Sequence, residues 1–496
     1  MMIPFFAVKK IITLRQCFLS LSDPNLLVLL ENVIFFRPCK PFHSIRGRKC
    51  SSELFSIPKI DYTVDQDVAR ANSMISRLSK KGRILEAQEL FDKMPDPDVI
   101  SWTALITGYV KCGMIDEARD LFDRVDVKKN VVTWTAMING FVKTRRIMEA
   151  ERLFNEMPEK NVVSWNTMID GYVKCGRLDR ALGLFERMDE RNVVSWNIVI
   201  AGLIQYGRIE EAREIFNRMP ERNLISWTSM VAGLSRNGRV DEAKLLFERM
   251  PERNVVSWNA MITGYAQNSR LNEAFDLFER MPVKDVTSWN TMTTGFIQNG
   301  DLAMANRLFN EIPEKNVVSW TVMINAHVQG GQSEEALRIF TDMLAHSGVR
   351  PNEGTFVSVL VACGDLASLA EGRQIHQLIS KTVYQKCDFI ISALISMYSK
   401  CGELLTARKV FNDGIRGQRD LVSWNGIIAA YAHHGHGKEV IKLFHEMQNM
   451  GLNPNDVTYV GLLTACSHAG LVEEGFRYLD MLVNDRSIKL REDHYT

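Results

Sequence analysis

The sequence predicts an all-α protein: a right-handed α–α superhelix, or solenoid, of about 13 helix-turn-helix repeats. Three observations lead there. Tryptophan recurs at a nearly constant interval, apolar residues recur between tryptophans at helical spacing, and glycine returns at one fixed point of the interval.

The interval comes first, because a repeat replaces any estimate of domain number from length. Trp102, Trp134, Trp165, Trp196, Trp227, Trp258, Trp289 and Trp320 are separated by 32 and then six times by 31 residues. Trp424 lies 104 residues further on, the length of three units of 36, 35 and 33 residues whose marker positions hold Phe356 and Ile391. Starting each unit three residues before its tryptophan gives an array over 68–490, with units at 68–98, 99–130, 131–161, 162–192, 193–223, 224–254, 255–285, 286–316, 317–352, 353–387, 388–420, 421–455 and 456–490.

Each unit contains two helical patterns. In 162–192, Trp165, Ile169 and Tyr172 recur at i, i+4 and i+7, and Leu178, Ala181, Phe185 and Met188 form a second apolar stripe in which the small Ala181 lets two helices approach. The tryptophan rings are expected to lock each helix pair. Between the patterns stands a glycine (82, 113, 176, 207, 238, 300, 331, 402, 435 and 470), as a helix C-cap of positive φ requires; Arg145, Ser269 and Ala367 replace it in three units. Pro95, Pro158, Pro220, Pro251, Pro282 and Pro313 end the second pattern. One pair cannot bury both its apolar faces, so neighbours must stack.

With 46% hydrophobic and 24% charged residues, the 496-residue chain has ample material for such a core. Net charge is +1, but residues 1–60 carry +6 and the remaining 436 carry −5. That leader is rich in Phe, Leu, Ser and Arg and poor in acids, the composition of an organellar transit peptide, with a secretory signal as the alternative. Arg15, Arg37, Arg46 and Arg48 favour the mitochondrion over the chloroplast. The apolar run Leu26–Phe36 is too short to span a membrane and contains Glu31, so no membrane partner is expected. Nine cysteines form no C-x-x-C pair, and Cys112, Cys175 and Cys401 share a K-C-G context, so they read as inert repeat positions. No cofactor and no metal site is expected; His433, His434 and His436 fall at a helix-helix turn.

A polar stripe on the first helix invites a functional reading. Positions 2, 5, 9 and 13 of a unit, such as Val132, Thr135, Asn139 and Lys143, lie on one face beside the tryptophan. Position 5 is drawn from a narrow set: Asn72, Thr103, Thr135, Asn166, Asn197, Thr228, Asn259, Asn290, Thr321, Ser392 and Asn425. So is the last residue of the unit: Asp98, Asn130, Asn161, Asn192, Asn223, Asn254, Asp285, Asn316, Asn352, Asp420 and Asn455. Terminal Asn or Asp is also what an N-cap of the next helix requires, and that reading stays open. It leaves position 5 unexplained, since Asn and Thr are middling helix formers. Short donor-acceptor side chains presented once per repeat suit the bases of a single strand. Position 2 (Ile100, Val132, Val163, Val194, Ile225, Val256, Val318, Val422) would then sandwich bases, and position 13 (Lys80, Lys111, Lys143, Lys174, Arg236, Lys400) would meet phosphate. At Gln205, Gln267, Gln298 and Gln329 position 13 is neutral, and the balancing acids sit mostly on the second helices.

The units S-W-N-x-M-I-x-G-Y-x-K-x-G and D-E-A-x-x-L-F-x-x-M-P closely resemble the pentatricopeptide repeats of land plants. The mixture of 31-residue and longer units resembles the subclass with alternating long and short motifs, which is associated with organellar RNA and C-to-U editing. The resemblance implies that position 5 and the last residue jointly choose one base, the chain running parallel to the RNA from its 5′ end. Asn72 with Asp98 and Asn259 with Asp285 then favour uracil; Thr103 with Asn130, Thr135 with Asn161, Thr228 with Asn254 and Thr321 with Asn352 favour adenine. The Asn/Asn pairs favour a pyrimidine, generally cytosine, Ser392 with Asp420 suggests guanine, and Val357 with Cys387 departs from the pattern. The implied target is 5′-U-A-A-Y-Y-A-U-Y-A-n-G-Y-3′, with Y a pyrimidine.

Some members of that family carry a zinc deaminase with H-x-E and P-C-x-x-C ligands, which this sequence lacks, so an editing role implies a separate deaminase or editing cofactor protein. Residues 491–496, REDHYT, look like the opening of a truncated extension motif. A protein-binding helical array is the rival reading, and no nucleophile and base constellation supports an enzyme.

Overall fold

A computed structural model of the chain describes residues 66–125, 128–346, 348–413 and 421–484; the leader, Asp420 and the 491–496 segment lie outside them. Among the described residues there are 26 α-helices, one short 3-10 turn at Val383–Lys386 and no strand, so the all-α helix-turn-helix array stands. The chain falls into two compact units, 1–226 and 227–496. In each, the first helices of neighbouring repeats pack side by side, and each second helix packs on its own partner and on the next repeat's first helix. That is solenoid stacking.

Repeat 162–192 shows why these residues fold so. Its first helix, Val162–Lys174, starts at the Asn161 cap and ends where Gly176 donates to Val173 O at 3.1 Å and Arg177 to Tyr172 O at 2.8 Å. Those two bonds make a Schellman turn, which needs a left-handed residue. Gly176 supplies it at φ 74°. All ten turn glycines have positive φ, and so do the three replacements, Arg145 (60°), Ser269 (60°) and Ala367 (49°). The turn is set by the helix pair rather than by the residue.

This gives a stability prediction. A side chain in the left-handed region costs about 1–2 kcal/mol, less the extra entropy that glycine loses on folding. Arg145→Gly and Ser269→Gly should therefore each stabilise by about 0.5–1 kcal/mol. Gly113→Ala and Gly207→Ala, where an added Cβ meets nothing within 4 Å, should destabilise by a similar amount. Urea midpoints at unchanged slope measure both.

The second helix, Leu178–Glu186, buries Leu178, Ala181 and Phe185, with Ala181 fully buried where the two helices meet. The tryptophans do something other than lock their own pair. Each ring packs edge-on against the phenylalanine of the preceding repeat's second helix: Trp102 on Phe91 at 4.7 Å, Trp165 on Phe154 at 5.0 Å, Trp196 on Phe185 at 4.9 Å and Trp424 on Phe411 at 4.8 Å. The tryptophan is thus a joint between repeats, worth about 0.5–1.5 kcal/mol beyond its buried area. The residue before the unit's last position closes the other face of that phenylalanine: Arg191 lies 5.0 Å over Phe185 and donates to the Phe185 and Glu186 carbonyls, capping the helix C-terminus.

Arginines that stand one residue before the second helices bridge to acids on the preceding repeat's second helix, through Asp116–Arg146 (2.5 Å), Asp179–Arg208 (2.6 Å) and Asp241–Arg270 (2.6 Å). These exposed pairs add little stability. Their consequence is that part of the array's acid is neutralised on the second-helix face.

Candidate nucleic-acid interface

In ten units the last residue caps the next first helix, whereas Cys387 makes no side-chain cap bond. The side-chain oxygen of Asp98, Asn130, Asn161, Asn192, Asn223, Asn254, Asp285, Asn316, Asn352 and Asn455 accepts the backbone N–H of the residue three further on, at 2.8–3.0 Å. That third residue is a serine or threonine whose buried hydroxyl bonds back to the cap residue, as Ser164 does to Asn161 O at 2.8 Å and Ser195 to Asn192 Oδ1 at 3.0 Å. The capping reading is correct. It also orients the side chain, because Oδ1 must face the helix, leaving Nδ2 of an asparagine or Oδ2 of an aspartate outside the cap.

Position 5 meets that same residue. Its amide donates to the cap oxygen in Asn72–Asp98 (3.2 Å), Asn166–Asn192 (3.3 Å), Asn197–Asn223 (3.3 Å), Asn290–Asn316 (3.4 Å) and Asn425–Asn455 (3.1 Å). Asn259 sits equivalently, 7% exposed, without a bond to Asp285. Residues 26 or 30 apart are thereby joined into one two-residue unit per repeat.

The threonines behave differently. Thr103, Thr135 and Thr321 donate to the carbonyl one turn back at 2.6–2.7 Å. Thr103 and Thr321 also touch the threonine of the next cap, Thr133 at 2.6 Å and Thr355 at 2.7 Å, and reach Asn130 and Asn352 only through it. Thr228 is half-buried, and Ser392 lies 3.3 Å from Ser423, its partner Asp420 falling outside the described residues.

Four of the position-5 asparagines, Asn72, Asn166, Asn197 and Asn259, have a buried Oδ1 with no hydrogen-bond partner. A buried orphan acceptor costs about 1–3 kcal/mol, and the same atom is left without a partner in the described residues at one register of four repeats. Burial pushes the Asp98 carboxyl up, but bonds from Ser101 N–H, the Ser101 hydroxyl and the Asn72 amide outweigh it and hold it below the ordinary carboxylate value. Asp98 is therefore ionised at neutral pH.

Position 2 forms a row of exposed apolar side chains. Ile100, Val132, Val163, Val194, Ile225, Val256, Val318 and Val422 are 45–62% exposed. Phe389 and Val457 belong to the same row at 68% and 52%; the altered spacing of their units hid them. The position-13 residues Lys80, Lys111, Lys143, Lys174, Arg236 and Lys400 are all exposed. In the N-terminal repeats these registers converge on one groove, lined by Ser76, Lys80, Ile100, Thr103, Lys111, Asn130 and Val132 among others.

The other candidates recede. Among the described residues no cluster of His, Cys, Asp and Glu could hold a metal, and no helix is long and apolar enough to cross a membrane. His434 is engaged with Ser399 O at 2.9 Å. None of the described cysteines is in a disulfide, and burial pushes the Cys363 thiol up to about 12.

Fold and site together define a helical-repeat protein that presents a polar pair in most of its repeats. The described family whose models match is the PPR repeat family, at 129–162, 191–226, 253–286, 315–365 and 419–468, with further PPR repeats at 71–96, 100–129, 163–193, 225–255, 287–317, 390–416 and 457–486. The chain belongs to the pentatricopeptide repeat family. It is 59% identical over 154 residues to the mitochondrial pentatricopeptide repeat-containing protein At2g35030 of Arabidopsis thaliana, covering 31% of this chain and 25% of that one. It is 42% identical over 154 residues to the chloroplastic protein ELI1 of the same plant, covering 31% and 24%. The match thus spans about a quarter of these relatives' length. Among solved structures, maize PPR10 superposes with a TM-score of 0.43 at 18% identity, over 86% of this chain and 75% of that one. PPR10 in complex with an 18-nt psaJ RNA element gives 0.40 at 17%, over 86% and 66%.

Proposed function

We propose that this chain is a sequence-specific single-stranded RNA-binding protein of an organelle, acting as a specificity factor for C-to-U editing with catalysis supplied by a separate deaminase or editing cofactor protein. The observation that carries the reading is the repeated pair of position 5 and last residue, with an orphan acceptor on the first and a free donor or acceptor on the second. An Asn/Asn pair offers one acceptor and one donor, matching the N4–H and N3 of cytosine. An Asn/Asp pair offers acceptors alone, matching the N3–H of uracil. Exposed aliphatics on either side supply faces for bases, and exposed lysines at position 13 supply phosphate contacts. The mitochondrial and chloroplastic relatives support an organelle, and the arginines of the leader favour the mitochondrion.

The test is binding of the full chain to an RNA carrying U-A-A-Y-Y-A-U-Y-A-n-G-Y with cytosine at each Y, against its scrambled version at matched salt. At the 1–3 kcal/mol that each correct pair supplies, the target should win by at least about 100-fold. Equal affinity for the two strands sinks the assignment. Sequencing organellar RNA from a loss-of-function line then separates editing from stability or splicing: an unedited cytidine just downstream of a matching site is the expected result.

A further inference from the structure

The cations of position 13 are not equivalent. Lys80, Lys111 and Lys143 are exposed and form no ion pair with any described residue. Lys174 is held at 2.6 Å by Asp170, which occupies position 9 of the same helix, and Lys400 is held at 2.7 Å by Asp365, the position-13 residue of the preceding repeat. Position 13 is glutamine at 205, 267, 298 and 329, and Arg236 is itself partnered.

We infer that the electrostatic anchor of the RNA lies in the repeats spanning 68–161, at Lys80, Lys111 and Lys143, and that Asp170 and Asp365 act as built-in counter-ions that neutralise Lys174 and Lys400. This rests on the RNA-binding reading and specifies where phosphate is held. The physical reason is counterion release. A free surface lysine that neutralises a phosphate releases the cation condensed on the nucleic acid there, so each such contact adds about 0.7 to the slope of log affinity against log salt for a single strand. A lysine already paired with a carboxylate releases nothing. Even if the exposed pair opens, its carboxylate remains within the Debye length of about 8–10 Å, and the phosphate meets a site of no net charge.

The groove between Lys80 and Lys111 supports the assignment independently. Its lining includes Ser79, whose hydroxyl is buried and has no hydrogen-bond partner, beside Ser76 and Thr107. It thus offers hydroxyl donors beside two unpaired ammonium groups, the chemistry that a phosphodiester oxygen requires. Beyond residue 174 the amide pairs continue on position-13 sites that are neutral or already partnered. The N-terminal repeats hold the strand by charge, and the later ones discriminate bases with little background attraction.

The full chain and the RNA described above test this by fluorescence anisotropy between about 50 and 200 mM salt. Lys80→Ala, Lys111→Ala and Lys143→Ala should each reduce the slope by about 0.7, whereas Lys174→Ala and Lys400→Ala should leave it unchanged. Asp170→Asn should raise it by about 0.7 and tighten binding, and adding Lys174→Ala to that variant should remove the gain. Equal slope changes for all five lysines, or no change with Asp170→Asn, overturn the inference while leaving RNA binding intact. If the unaltered chain binds no RNA, both readings fall.

Discussion

Gly171→Val should destabilise the array by about 1–3 kcal/mol. Gly171 is the tenth residue of its unit and lies fully inside the seam between first helices. A Cβ there would fall 2.5 Å from Val142 Cγ2 and 3.2 Å from Ile147 Cδ1, both belonging to the preceding repeat. The Val142 contact is to a short β-branched side chain with little freedom to turn, so the two helices must separate. Gly140, against Ile115 Cδ1 at 2.5 Å and Val110 Cγ2 at 2.9 Å, and Gly202, against Val173 Cγ2 at 2.8 Å, repeat the arrangement. In a stacked array an interface is shared only by neighbours, so the damage should stay local. Hydrogen exchange should show lost protection in helices Val131–Lys143 and Val162–Lys174, with repeats further along the same unit little changed. A variant as stable as the original, with unaltered exchange, would show that the seam accommodates side chains.

This glycine shows where the sequence was and was not legible. A glycine stands at this tenth position in seven of the units, yet its requirement arises from atoms about 30 residues away, which periodicity along one helix does not reveal. The turn glycines were legible because their requirement is local: the φ of a single residue ends the helix. The tryptophan ladder was plain in the sequence, but its partner, the phenylalanine some 11 residues earlier across a turn, emerged only from the packing of one repeat on the next. The cap and the base-reading hypotheses looked like rivals in the sequence. Structurally they concern different atoms of one side chain, Oδ1 committed to the helix and the remaining atom left over. Of the two counter-ion pairs, Asp170–Lys174 follows an i,i+4 rule that sequence alone could have exposed, whereas Asp365–Lys400 joins different repeats.

That division of atoms makes the sharpest prediction about recognition. Asp98→Asn should convert the first repeat from a uracil to a cytosine preference. The substitution keeps Oδ1 and the cap bond to Ser101, since asparagine and aspartate cap equally well, so folding should be unaffected. What changes is the outer atom: an acceptor for the N3–H of uracil becomes a donor for the N3 of cytosine. A matched pair is worth about 1–3 kcal/mol over the mismatch, so the ratio of affinities for U-first and C-first strands should swing by about 10- to 100-fold each way. Asp285→Asn should do the same at the seventh base. pH supplies a control internal to the same protein. The Asp98 carboxyl is held below its ordinary value, so its uracil preference should persist through mild acidity and vanish only as pH falls through that depressed value. Competition binding with strands differing only at the first base measures both effects. Retained affinity with an unchanged U-to-C ratio in Asp98→Asn would mean that the pair caps the helix and reads nothing.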